Sequence, residues 1–420
     1  MRPLLRGLLP LLIVVLAGCG NGTLADIWDS FPDEAFNPPD DGGGGGGGGG
    51  GLTLEEVAAI AGGQGVIGTV KNIALASVGP RTFAFLAAGP DGCHVVDVTE
   101  PENIVPASYI TTIRPLVLTA PAELAGGRVD SVAVVSNALL VCVAVVPGTT
   151  GNCVTVFNLG ALITAATSST ADLSAAFVPP TTPGTDAIAV TGDTVGKGGG
   201  VAGVLTEFFV ATGTKLASAR IELAGTWTLV SADIPLGTPT FTTVTDVAAT
   251  SISGITAVFA SGKRSDLEFA VVSLGVGIPL QTVVESEVQR VVDDGAVSTA
   301  GNYPLDLAID TLNLFVTGNN EVFVYSITPT LSLASTVENT GNETIAVGAT
   351  TGSFIVGAGD SVRVGTNALG QARVTGSLAF PGTFTIRGVA IRSTSTGLFF
   401  LACAGTGGLR ILQVPSAPGP

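Results

Sequence analysis

The chain has 420 residues, 46% of them hydrophobic and only 12% charged, with 58 Gly and a mean hydropathy of +0.57. Disorder is excluded for most of it, and the formal net charge of −16 argues against nucleic acid as a partner, since no basic surface would displace counterions from phosphates. One His and five Cys leave no His/Cys cluster for zinc, haem or iron–sulfur ligation.

The first residues read as a targeting segment of 1–18: Arg2 and Arg6, then an apolar run from Leu8 to Leu16 broken by Pro10. That run is shorter than the roughly 20 apolar residues that span a bilayer. It ends in Leu16-Ala17-Gly18-Cys19, which resembles the lipobox of bacterial lipoproteins. The resemblance implies cleavage before Cys19, diacylation of its thiol and a membrane as partner, since acyl chains contribute about 0.8 kcal/mol per buried CH₂. Gly20 stands where an Asp would resemble an inner-membrane retention signal, so the expected address is the cell envelope at the outer membrane.

Residues 19–51 change character, with Asp26, Asp29, Asp33, Glu34, Asp40 and Asp41 among Pro32, Pro38 and Pro39, then ten consecutive Gly at 42–51. A Gly run behaves as a random coil, so this segment is expected to be a disordered tether whose acids keep it extended. A short helix is expected over 52–64, from Leu54 to Ala61, with Thr53 as its cap and Gly62-Gly63 as its stop.

Everything from 65 to 415 reads as strand, in short runs of Val, Ile, Thr, Phe and Ala separated by Gly, Asn, Asp and Pro, leaving 416–420 as a disordered tail. An Ala flanked by apolar residues recurs seven times: Asn72-Ile73-Ala74, Ser131-Val132-Ala133, Ala187-Ile188-Ala189, Asp246-Val247-Ala248, Asp306-Leu307-Ala308, Thr344-Ile345-Ala346 and Gly388-Val389-Ala390. Intervals of 38 to 60 residues suit a four-stranded blade, so the expected fold is an all-β, seven-bladed β-propeller. The last unit supplies three strands only, and Gly65-Val66-Ile67-Gly68-Thr69-Val70 is the expected N-terminal strand that closes it.

The segment Phe85-Leu86-Ala87-Ala88-Gly89-Pro90-Asp91-Gly92-Cys93-His94-Val95-Val96-Asp97-Val98-Thr99-Glu100-Pro101-Glu102-Asn103 resembles an LVIVD repeat of bacterial and archaeal surface propellers. Cys93 replaces the Leu of that pattern. Pro304 to Asp310 with Leu314 to Gly318 is more similar to NHL and YVTN repeats. These resemblances imply architecture and say little of function.

Chemistry-bearing residues are few. His94 is the only candidate base for a nucleophilic triad, and alternation sets it opposite Cys93 and Val95 on its strand. Two Trp, Trp28 and Trp227, exclude the repeated Trp motifs of quinone-dependent propellers. Two cysteine pairings are open: Cys142 with Cys153 across a hairpin, and Cys93 with Cys403 across the ring closure. Just before the recurring Ala stand Asp130, Asp186, Asp246, Asp306 and Glu343, interrupted by Lys71 and Arg387. Such acids either converge on the channel mouth and recruit a hard cation such as calcium, or cap the turns entering the inner strands. The functional expectation is a monomeric binding or scaffolding module, engaging an envelope protein or polysaccharide and having no evident catalytic apparatus. A cation-dependent hydrolase or lactonase at the channel mouth is the alternative.

Overall fold

The computed structural model describes residues 54–60, 70–89, 91–104, 109–113, 128–143, 152–167, 176–183, 185–190, 200–236, 240–252, 255–264, 269–276, 283–290, 306–318, 321–327, 331–337, 344–368, 371–380, 385–395, 397–404 and 407–414. The expected signal segment, Cys19 and the Gly-rich tether lie outside them. All described residues belong to one compact unit, Thr53–Pro420.

Among the described residues, twenty-eight strands form seven four-stranded antiparallel sheets. Blade 1 holds β2 (Asn72–Val78), β3 (Arg81–Ala87), β4 (Cys93–Asp97) and β5 (Tyr109–Ile113). Blade 2 holds β6 (Ser131–Val135), β7 (Leu139–Val143), β8 (Val154–Asn158) and β9 (Phe177–Val178). Blade 3 runs through β10 (Val201–Val204), β11 (Glu207–Ala211), β12 (Leu216–Ile221) and β13 (Trp227–Ile234). Blade 4 follows with β14 (Phe241–Ile252), β15 (Ile255–Arg264), β16 (Phe269–Val276) and β17 (Val283–Arg290). In blade 5 come β18 (Leu307–Ile309), β19 (Asn313–Thr317), β20 (Val322–Ser326) and β21 (Ser332–Val337), and in blade 6 β22 (Thr344–Thr350), β23 (Ser353–Ala358), β24 (Ser361–Ala368) and β25 (Gln371–Ala379). Blade 7 has β26 (Gly388–Thr394), β27 (Gly397–Cys403) and β28 (Leu409–Gln413), completed by β1 (Glu55–Ile60) on the outside. The innermost strands touch in ring order, with β2 against both β6 and β26, so the seven sheets close into a propeller.

Period-two alternation gives each strand one face toward each neighbouring blade, and the core is therefore a set of layers between blades. Phe83, Phe85, Cys93 and Val95 of blade 1 meet Val132, Leu140 and Cys142 of blade 2, whereas Ala84, Leu86 and Val96 face Leu401, Cys403 and Ile411 of blade 7. Hairpin turns crowd the end of the channel where the inner strands finish. There Ser136 and Asn137 adopt φ of 50° and 52°, the Ser136 hydroxyl donates to the Leu205 carbonyl at 2.5 Å, and Asn137 Oδ1 accepts the Ser77 N–H at 3.4 Å. Blades 1 to 3 are thus tied at their turns.

Four expectations are corrected. The segment expected as a helix from Leu54 to Ala61 forms β1, pairing antiparallel with β28 from Glu55↔Gln413 to Ile60↔Leu409. Its Leu, Glu and Ala favour a helix, but the open edge of β28 outweighs that weak preference by offering a row of backbone partners. Leu54 and Ile60 are buried in the layers on the two sides of blade 7, and Glu56 accepts the Arg410 guanidinium at 2.9 Å. Closure by an N-terminal strand stands, but the strand lies earlier than Gly65–Val70. Of that run only Val70 is described, buried between blades 1 and 7.

The second correction concerns blade 3, whose inner strand is β10 rather than Ala187-Ile188-Ala189. Ile188 and Val190 instead pack as irregular backbone beside β8, the Ile188 carbonyl accepting the Cys153 N–H at 2.8 Å. Third, the run after β8 is not strand: Leu159–Thr167 forms helix α1, with Asn158 Oδ1 accepting the Ala161 N–H at 2.9 Å as its cap and Leu159, Leu162 and Ile163 buried. Fourth, the repeat in blade 6 is displaced by two residues. Val347 pairs with Val356 as Leu307 pairs with Val316, so Gly348 takes the place of the recurring Ala, and Ala346 that of the acid.

Candidate functional site: the mouth of the central channel

The inner strands begin at one end of the channel, and there Ile73, Val132, Val201, Val247, Leu307, Val347 and Val389, one from each blade, surround a cavity of about 220 Å³. Asn72, Asp246 and Asp306 share its lining and supply its polar side chains. Side chains of all seven repeats converge here.

Each of those polar residues immediately precedes the apolar member of its blade and reaches sideways. Asn72 Oδ1 accepts the Val132 N–H of blade 2 at 3.3 Å, Asp246 Oδ2 the Leu307 N–H of blade 5 at 2.8 Å, and Asp306 Oδ2 the Val347 N–H of blade 6 at 2.7 Å. The first backbone N–H on the inner edge of a blade has no ladder partner inside its own sheet, so an acceptor from the preceding blade satisfies it. Where the equivalent residue is Gly, the next blade closes in directly. A Cβ on Gly200 would stand 2.4 Å from Asp246 Oδ1 and 2.6 Å from the Val247 N, and one on Gly388 would stand 3.3 Å from the Asn72 backbone. Side-chain clasps and close backbone approach are two solutions to one seam.

The five acids expected at this mouth separate accordingly. Asp246 and Asp306 are at equivalent positions and line the cavity. Asp130 sits one residue earlier in its blade, fully buried, with Lys71 Nζ at 2.6 Å and Arg128 Nε at 2.6 Å. Two cations thus neutralise its charge, and the Lys71 bond crosses from blade 1 to blade 2. Lys71 therefore does not interrupt a ring of acids; it answers one of them. Asp186 is not on an inner strand at all: it accepts the Thr182 N–H at 2.7 Å and the Leu229 N–H at 3.0 Å, fastening the connection after β9 to the outer strand β13. Glu343 lies outside the described residues, and its repeat presents Ala346 at the acid position. Arg387, half-buried, donates its backbone N–H to the Cys403 carbonyl at 3.2 Å at the start of blade 7. Among the described residues no three His, Cys, Asp or Glu side chains gather as metal ligands.

His94 is buried on β4, two strands out from the channel, where alternation turns it toward blade 7. The neighbouring Asp97 organises the turn that follows. Its Oδ1 accepts both the backbone N–H of Thr99 at 2.9 Å and the Thr99 hydroxyl, and Arg81 pairs with its other oxygen. Burial alone would raise the Asp97 pKa, but the Thr99 hydroxyl, Arg81 and the Thr99 N–H together hold it below the ordinary carboxylate value. Arg392 of blade 7 donates to the Thr99 carbonyl at 2.9 Å, so this turn also carries a link across the ring closure.

Neither expected cysteine pairing is formed, and the four described cysteines are buried thiols. Cys142 faces blade 1 and Cys153 faces blade 3, on opposite sides of the same sheet. Cys93 faces blade 2 and Cys403 faces blade 1, so adjacent blades do not bring those two thiols together. Asn72, which the expected set of acids leaves out, belongs to the same cavity lining. Its signal was present, since Asn72-Ile73-Ala74 matches Asp246-Val247-Ala248 and Asp306-Leu307-Ala308 position for position. Arg128 and Gly200 carried no such mark.

No protein-family model matches the chain, and no curated protein matches it. Solved structures do. It is similar to BBS1N, solved in complex with ARL6DN, at 12% identity and a TM-score of 0.50, covering 87% of this chain and 96% of that one. The extracellular domain of BT4673 from B. thetaiotaomicron matches at 12% identity and a TM-score of 0.47, over 86% of this chain and 39% of the other. PorZ, a surface component of the type-IX secretion system of Porphyromonas gingivalis, matches at 13% identity and a TM-score of 0.47, over 87% and 38%. The chain thus spans about two fifths of the length of the latter two, and the likeness is one of fold.

Proposed function

We propose that this chain is a lipid-anchored propeller of the bacterial cell envelope that works as a binding or scaffolding module, with the channel mouth as its recognition surface. The observation that carries the reading is the cavity of about 220 Å³ on which all seven blades converge. Its apolar wall offers contact area, and Asp246 and Asp306 supply acceptor oxygens on strands already fixed by their hydrogen bonds to the next blade. A preorganised cavity of this kind loses little entropy on binding. Its size suits one side chain or one sugar ring presented by an envelope protein or a polysaccharide, and its charge favours a hydrogen-bond donor over an acid.

The anchor half of the proposal rests on Leu16-Ala17-Gly18-Cys19 and the acidic, Gly-rich segment behind it. A thiol-linked diacylglycerol at Cys19 holds the module at a membrane, and the tether gives it reach without fixing its orientation. Detergent-phase partitioning of the full chain tests this. The wild type is expected in the detergent phase and Cys19→Ser in the aqueous phase. A Cys19→Ser protein that stays with detergent contradicts the anchor.

A further inference from the structure

The layer between blades 1 and 2 contains two thiols that neither expected pairing brought together. Cys93 opens β4 and Cys142 lies within β7, and both are fully buried among Ala87, Val129 and Val132. The Cys142 side chain stands beside that of Cys93 in this layer, and the Cys93 thiol reaches the His94 carbonyl at 3.8 Å. Both residues stand at the mouth end of their strands: Cys93 pairs with Ala87, the partner of Asn72, and Cys142 pairs with Val132. The remaining described cysteines offer no rival, because Cys153 belongs to the layer between blades 2 and 3 and Cys403 to that between blades 7 and 1.

We propose that Cys93 and Cys142 are oxidised to a disulfide that staples blade 1 to blade 2. The oxidant is a low-molecular-weight disulfide or a protein disulfide of the thiol-exchange class. One thiolate attacks the oxidant, forming a mixed disulfide and releasing one thiol; the second thiolate then displaces the other oxidant sulfur. Two protein thiols are oxidised, one oxidant disulfide is reduced to two thiols, and both protons leave with them. The neighbouring Cys93 thiol, together with burial, pushes the Cys142 thiol well up, so its thiolate is scarce once the blades have closed. Exchange therefore takes place while the two blades are still assembling. The bond joins the blades at the seam where Lys71–Asp130 and Asn72–Val132 already connect them non-covalently.

The test uses the full chain carrying Cys19→Ser, denatured, reduced and refolded in a glutathione thiol–disulfide buffer, which makes the outcome independent of anchor and compartment. After alkylation and digestion without reduction, the peptides containing Cys93 and Cys142 are expected to be joined, two hydrogens lighter than their sum, with Cys153 and Cys403 alkylated. The refolded protein is also expected to melt about 3 °C or more above the same protein reduced, a comparison that needs no core substitution. A double variant, Cys153→Ser with Cys403→Ser, is expected to give the same linkage. Recovery of Cys93 and Cys142 as alkylated thiols in the folded product, or of either one linked elsewhere, overturns the proposal.

Discussion

Asp306 on blade 5 accepts the Val347 N–H of blade 6 at 2.7 Å, and its own backbone N–H donates to the buried Thr317 hydroxyl at 2.7 Å. A carboxylate that sequence spacing marks as a metal ligand is thereby part of the seam between two blades. The same relation repeats one blade earlier, between Asp246 and Leu307.

Removing the clasp leaves a buried N–H without its partner, which costs about 1–3 kcal/mol. Asp306→Ala is therefore expected to lower the unfolding free energy by about that amount, measured by chemical denaturation, whereas Asp306→Asn loses less because it keeps an acceptor oxygen, as Asn72 does in blade 1. Equal stabilities for Asp306→Ala and wild type would remove the clasp from the account.

Gly200→Ala probes the other solution to the seam. Its Cβ would meet Asp246 Oδ1 and the Val247 N at 2.4 and 2.6 Å, contacts that only a shift of blade 3 against blade 4 relieves. Overpacking of this kind costs about 1–3 kcal/mol, so a clear fall in melting temperature is expected. Gly225→Ala, where no atom lies within 4 Å but φ is +78°, separates backbone strain from collision and is expected to cost less.

Acid should loosen the ring closure through Asp97. Its folded-state pKa lies below the ordinary 3.8, so its contribution is fully present above that value and is lost as pH falls through the lower folded value. Melts of wild type and Asp97→Asn are expected to differ at neutral pH and to converge in strong acid. A difference that stays constant into acid would show that the carboxylate charge is not what organises the turn.

The propeller was legible because each blade spells apolar alternation and ends its runs in Gly, Asn or Asp, a pattern set by burial between blades. The frame slipped where composition misleads. Ala187-Ile188-Ala189-Val190 has the residues of an inner strand yet fills space beside β8, while the true strand, Val201-Ala202-Gly203-Val204, follows a Gly because Asp246 of the next blade needs that room. Leu54 to Ile60 has helix formers, and only the unpaired edge of β28, hundreds of residues away, makes it a strand. Of the site, Asp246 and Asp306 were visible as acids at a repeated position; their partners were not, since a backbone N–H leaves no mark in a sequence. The two cations on Asp130 come from different blades, and the pairing of Lys71 with it depends on ring geometry alone.

The account turns on whether the mouth is a binding surface built on structural carboxylates or a cation site that supports hydrolysis. Calcium takes about six to eight oxygens, and Asp246 and Asp306 each already commit one to a backbone N–H. The direct measurement is the melting temperature of the full chain with millimolar calcium and with chelator, for wild type and for Asp246→Asn with Asp306→Asn. The account predicts that the wild-type melt is the same in both conditions. A rise with calcium that disappears in the double variant would contradict it and make the channel mouth a metal centre.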